Sequence, residues 1–133
     1  MAKIERFEDM EIWQLAREIC NDIRHFIETT GSGKNYALRD QMDRCSGSVM
    51  DIIAEGFERN GNKEFIQFLS IAKASCGELR SQLYRTFDRD YIDKPTFDIQ
   101  IEKVLLESKK ISSFMSYLIK SEFKGSKYSR KPL

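Results

Sequence analysis

The stretch that decides the fold is Gln41–Leu79, QMDRCSGSVMDIIAEGFERNGNKEFIQFLSIAKASCGEL. Around its first half, Leu38, Met42, Cys45, Val49, Ile52 and Ile53 recur on one side of a helix turning about 100° per residue. The triplet Asn60-Gly61-Asn62 then adopts left-handed backbone easily and reverses the chain. Beyond it Phe65, Phe68, Leu69, Ala72, Cys76, Leu79, Leu83 and Phe87 fall within one narrow arc. Two amphipathic helices joined by a tight turn form a hairpin, which is half of a four-helix bundle.

Working outward, the spacing predicts helices over about Glu8–Glu28, Tyr36–Arg59 and Lys63–Asp90. The first begins with Glu8, Asp9 and Glu11, which suit the positive end of a helix dipole, and stops before Thr29-Thr30-Gly31-Ser32-Gly33. A fourth starts near Pro95, a residue tolerated in a first turn but not deeper, and is closed by Gly125. Its expected core stripe is Phe97, Ile101, Val104, Leu105, Ile111, Met115, Leu118 and Ile119. Short connections between helices of similar length favour antiparallel neighbours. The expectation is therefore an all-α, up-and-down antiparallel four-helix bundle over residues 1–123, with a basic tail over residues 124–133.

Several function classes are excluded by inventory. No apolar run approaches membrane-spanning length, and the N-terminus MAKIERFEDMEIWQLA is charged where a signal peptide is apolar, so a cytoplasmic protein is expected. Cys20, Cys45 and Cys76 are odd in number and widely spaced on apolar helix faces, which reads as three small core hydrophobes. The single histidine, His25, has no partner for a metal or a catalytic triad. Asp51 and Glu55 share a face at i and i+4 but lack the Glu-x-x-His repeats of di-iron bundles. The glycines form no phosphate-binding loop. No enzyme, cofactor, metal or small-molecule substrate is expected.

Two helices carry surplus apolar surface. On the first, Trp13, Ala16, Cys20, Ile23 and Ile27 are joined by Ile12, Leu15, Ile19 and Phe26 in an arc of roughly 160°, more than one neighbour covers. On the fourth, Ile99, Leu106 and Tyr117 lie nearly opposite the core stripe. Both observations predict contacts with other subunits.

Charge is unevenly spread. The tail contains Lys124, Lys127, Arg130 and Lys131 and no acid; removing those 4 from the 22 Lys and Arg leaves 18 against 21 acidic side chains, a net −3. A solubilising terminus and a phosphate-contacting arm with Tyr128 read alike. On the third helix Lys73, Arg80 and Tyr84 share one side, and Arg85 and Arg89 continue its C-terminal half, so a basic strip is expected there. Ser46, Gly47, Ser48 and Ala54 against Ala72, Ser75, Cys76 and Gly77 are small enough for close helix approach. Gln41, Arg44, Glu55, Arg59 and Glu78 are polar groups near that seam, whose paired burial would set register in an assembly.

These residues carry a resemblance. Phe7-x-x-Met10-x-Ile12-Trp13-Gln14-x-Ala16, Tyr36-x-Leu38-x-x-Gln41-x-x-Arg44, Ser48-Val49, Ala54-Glu55-Gly56-x-x-Arg59 and the run from Phe65 to Leu79 together resemble a bacterial four-helix-bundle family. That family includes proteins encoded by intervening sequences within large-subunit ribosomal RNA genes, and the accessory variability determinant of diversity-generating retroelements. Ile52 stands where the family often has Asn. The resemblance implies a pentameric ring of bundles; in the retroelement branch it also implies binding to RNA or DNA and to a reverse transcriptase.

Two readings follow. One is a non-enzymatic oligomeric scaffold whose nucleic-acid contacts come from Lys73, Arg80, Arg85, Arg89 and the tail. The other is a structural protein–protein interaction module with no nucleic-acid role. In both, Trp13, Gln41, Arg44, Glu55, Gly56, Arg59, Glu78, Ile99, Leu106 and Tyr117 are read as structural and assembly residues.

Overall fold

The computed structural model describes residues 4–123. Four helices account for nearly all of them: α1 (Glu11–Thr29), α2 (Tyr36–Glu58), α3 (Asn62–Asp88) and α4 (Lys94–Phe123), with 3₁₀ turns at Phe7–Asp9 and Gly31–Lys34. No strand occurs among the described residues. Each helix packs on the next and α4 closes back on α1. Contacts run in opposite senses along each pair: Glu11 and Asp22 of α1 meet Lys110 and Lys103 of α4, while Phe65 and Phe87 of α3 meet Phe114 and Phe97 of α4. The result is the up-and-down antiparallel four-helix bundle expected from the sequence.

Helix ends follow local chemistry. α1 begins three residues later than predicted because Met10 is extended (φ −86°, ψ 132°), which carries its side chain into the core. Gln14 Nε2 then donates to the Glu8 carbonyl at 2.9 Å. In the next connection, Asn35 Oδ1 accepts from the Leu38 N–H at 3.3 Å, a side-chain cap for α2. Asn60 takes the left-handed conformation at φ 66°, as its triplet predicted. Asp93 Oδ1 caps α4 by accepting from the Thr96 N–H at 3.0 Å, and hydrogen bonding to the Thr96 side chain, with that backbone bond, holds the carboxyl below its ordinary pKa. Pro95 therefore occupies the first turn, where its missing N–H costs nothing.

The core corrects three expectations. Most of the wide apolar arc of α1 is covered within the chain: Ile12, Ala16, Ile19, Ile23, Phe26 and Ile27 are buried, because α1 packs on both α2 and α4, while Trp13, Leu15 and Cys20 are half-buried. On α4 the buried line runs through Phe97, Gln100, Val104, Glu107, Ile111 and Leu118, and leaves Leu105 and Ile119 exposed. The predicted stripe was centred too far toward α3. Lastly, close helix approach falls at Gly56, where an added Cβ would meet Phe68 Cβ at 2.6 Å, and not at Gly47 or Gly77, which face open space. Cys45 and Cys76 join the core, whereas Cys20 is half-buried.

Candidate nucleic-acid interface

The third helix turns about 100° per residue, so the side of α3 that a residue occupies is fixed once two contacts are known. Tyr84 packs edge-on against Phe97 of α4 at 5.0 Å, and Phe87 stacks on the same ring at 4.6 Å. On the other flank, Arg85 Nη2 donates to Gln41 Oε1 of α2 at 2.7 Å. Lys73, Arg80 and Tyr84 recur seven and four residues apart and share the α4 flank. Arg85 lies on the α2 flank, and Arg89 ends the helix about 40° beyond it. The strip anticipated from the sequence is thus divided between two faces.

The α3–α4 face gains cations that were not singled out from the sequence. Lys109 and Lys120 stand exposed on the outward crest of α4. None of Lys73, Arg80, Lys109 and Lys120 takes part in an ion pair among the described residues, whereas Arg6, Arg24, Arg39, Arg59, Lys94, Lys103 and Lys110 all do. Their neighbours include the exposed apolar groups Tyr84, Leu105 and Ile119. Acids border this face, with Asp88 one turn past Tyr84 on α3, Asp98 level with Tyr84 on α4 and Glu102 level with Arg80; Asp98 is already held by Lys94 at 2.9 Å. A sequence signal for Lys109 and Lys120 existed only in hindsight of helix rotation.

The α2–α3 face collects the polar residues read as assembly groups. Gln41, Arg44, Glu55, Arg59 and Glu78 are all exposed in the single chain, so no paired burial occurs within it. Glu55 pairs with Arg59 at 3.2 Å, and the Arg59 guanidinium lies 5.1 Å from the centre of the Phe68 ring. The buried Cys45 thiol donates to the Ser75 carbonyl at 3.2 Å; burial, with Glu78 nearby, pushes it up to about 12.

A third surface runs between the N-terminal segment and α4. Ile4, Met10, Ile12, Leu106, Phe114 and Tyr117 line a groove of about 720 Å³, with Lys110 held to Glu11 at 2.8 Å on its wall. Ile99 and Leu106 are exposed as predicted, at 57% and 46%, but Tyr117 is half-buried and stacked on Phe114 at 5.7 Å. Trp13 is also half-buried, packed on Phe7 at 5.2 Å with Arg17 over its ring at 5.7 Å. The tail residues Lys124, Lys127, Arg130 and Lys131, and the expected stop at Gly125, lie outside the described residues.

Among the described residues the interior also holds polar groups with no counterpart in the sequence reading, Gln82, Gln100 and, bearing a carboxyl, Glu107. Glu107 is fully buried, neither of its carboxylate oxygens has a hydrogen-bond partner, and burial pushes its pKa up to about 8. It bears electrostatically on Cys76, whose thiol burial and Glu107 together raise to about 12. Both groups are closed off from solvent, so they are inert rather than poised. Among the described residues no three His, Cys, Asp or Glu side chains are grouped to hold a metal, and no helix is long and apolar enough to cross a membrane.

Comparison with curated proteins finds none that matches. Residues 8–113 match the family model described as 23S rRNA-intervening sequence protein. The match spans all of α1 to α3 and two thirds of α4, the bundle whose packing has just been described, and the chain belongs to that family.

Proposed function

We propose that the protein is a non-enzymatic helical scaffold of the cytoplasm that binds nucleic acid through its α3–α4 face. The observation that carries this reading is the grouping of Lys73, Arg80, Lys109 and Lys120, four cations without acidic partners, on one side of a chain whose formal net charge is only +1. Unpaired cations on one face attract phosphate although the total charge is small. The family's description, which ties it to ribosomal RNA genes, favours RNA as the client over duplex DNA.

Self-assembly is the second part of the proposal. Exposed Ile99 and Leu106 beside the groove along α4 favour a second copy there, and the family resemblance favours a pentameric ring. A ring repeats the basic face, which raises avidity without new contacts. A protein-interaction module without nucleic acid is the competing reading, and the polar α2–α3 face is its best surface.

Fluorescence anisotropy with a labelled RNA of about 20 nucleotides, over a salt series, tests the proposal. Binding is expected to weaken steeply with salt, and the double variant Lys73→Gln/Arg80→Gln to reduce the logarithmic salt slope by roughly 1.4 for two lost phosphate contacts. Arg44→Gln and Arg89→Gln serve as controls of equal charge. Absence of binding at low salt by a folded, monodisperse sample would sink the reading.

A further inference from the structure

We infer that Tyr84 is a base-stacking platform and that the α3–α4 face takes single-stranded rather than duplex nucleic acid. This rests on the nucleic-acid reading above and makes its ligand specific.

The argument begins with an aromatic that the core does not claim. Tyr84 is 51% exposed, yet its ring is not loose: it sits edge-on to Phe97 at 5.0 Å and 69°, and Phe97 is itself stacked on Phe87 at 4.6 Å. An edge contact fixes the ring plane and leaves much of the ring in water. A pre-fixed ring gives stacking without the entropic cost of ordering a mobile side chain.

The charges beside it are placed for the backbone of a strand whose base lies on that ring. Arg80 is one turn away, about 6 Å along the axis, and Lys73 about 10 Å farther on the same flank. Both lack ion pairs, so neither has to give up an acid to meet a phosphate. In the other direction Asp88 repels phosphate; across on α4 Asp98, level with Tyr84, is held by Lys94, and Glu102 stands level with Arg80. The strand therefore runs from Tyr84 toward Lys73 and Lys120, not past the α3–α4 turn. Between them the surface is low: Ala74, Gly77 and Ser81 on α3 face outward, and Leu105 offers an exposed apolar group on α4. Bases are open to such a ring only when unpaired, whereas a duplex would offer it phosphate alone.

The test uses the full chain and three probes of equal length: single-stranded RNA, single-stranded DNA and duplex DNA. Single strands are expected to bind tighter than the duplex by tenfold or more. Tyr84→Leu, which keeps an apolar contact with Phe97, is expected to lose about 5- to 150-fold for single strands, the range for one stacked base, and little for duplex. Tyr84→Phe retains binding. Tyr36→Leu, at an exposed tyrosine under Arg39 on another part of the surface, leaves it unchanged. In Tyr84→Trp, single-stranded probe quenches the added indole fluorescence, a signature that a purely structural role would not produce. Binding that is salt-sensitive but equal for duplex and single strand, or indifferent to Tyr84→Leu, overturns this inference while the nucleic-acid reading stands. No binding by any probe overturns both.

Discussion

Gly56 of α2 stands so close to Phe68 of α3 that a Cβ at residue 56 would lie 2.6 Å from the Phe68 Cβ and 3.0 Å from Phe65 Cδ1. The atom in the way belongs to the root of a side chain and cannot swing aside. Glycine here lets the α2–α3 hairpin close next to its turn, where Phe57 and Phe65 meet edge to face at 6.0 Å.

Gly56→Ala is therefore expected to destabilise. Helix propensity favours alanine by about 1 kcal/mol, but overpacking costs about 1–3 kcal/mol. A net loss of about 1 kcal/mol should appear as a lower urea midpoint. Gly47→Ala and Gly77→Ala, which meet nothing within 4 Å, are expected to raise it by up to about 1 kcal/mol. If either lowers it, or shrinks the particle mass, another subunit packs on that glycine.

Glu107 makes a prediction about pH. Its pKa is raised from 4.5 to about 8 in the folded chain, so between those values the unfolded chain is ionised and the folded chain holds the proton. Stability contributed by this group thus falls as pH rises from 4.5 to 8 and levels off above, by at most about 4–5 kcal/mol. Glu107→Leu should flatten that slope and raise stability most at pH 8, by a few kcal/mol at the upper end of what replacing a buried charge gives, about 1–4 kcal/mol. Parallel denaturation curves for wild type and variant at pH 5 and pH 8 would count against a buried carboxyl.

Lys103 joins α4 to α1. Its ammonium meets Glu18 at 2.6 Å and Asp22 at 2.7 Å, and Gln100 donates to the same Asp22 oxygen at 2.8 Å. Burial pulls the Lys103 pKa down, but the two carboxylates outweigh it and hold it above the ordinary value. With its side chain 27% exposed, Lys103 lies between surface and buried pairs, so Lys103→Met should cost roughly 1–2 kcal/mol. Hydrogen exchange should show the loss first in α1 and α4. A uniform change across the bundle would contradict a local clasp.

Ile99 and Leu106 test assembly. Both are exposed, so Ile99→Lys/Leu106→Lys should change the stability of one chain by less than about 0.5 kcal/mol. If a second copy covers them, light scattering will report a smaller particle while circular dichroism keeps its helical signal. An unchanged mass from an oligomeric wild type would move the contact to another face, with α2–α3 next in line.

Each helix and nearly every stop was legible in the sequence, because these depend on neighbours in the chain. Asn60 reverses it, Pro95 marks the first turn of α4, and the stripes of α2 and α3 alternate clearly enough to show their inner sides. Rotation of each helix about its own axis was not legible where apolar residues spread wider than the buried strip. On α4 that error of about half a residue's turn exchanged Leu105 and Ile119 for Gln100 and Glu107, and on α1 it read the buried Ile12, Ile19 and Phe26 as surface left for a partner. The division of Arg80 from Arg85 has the same origin. Periodicity fixes which residues share a side of a helix; only the simultaneous packing of four helices decides which side faces a neighbour and which is left for a partner.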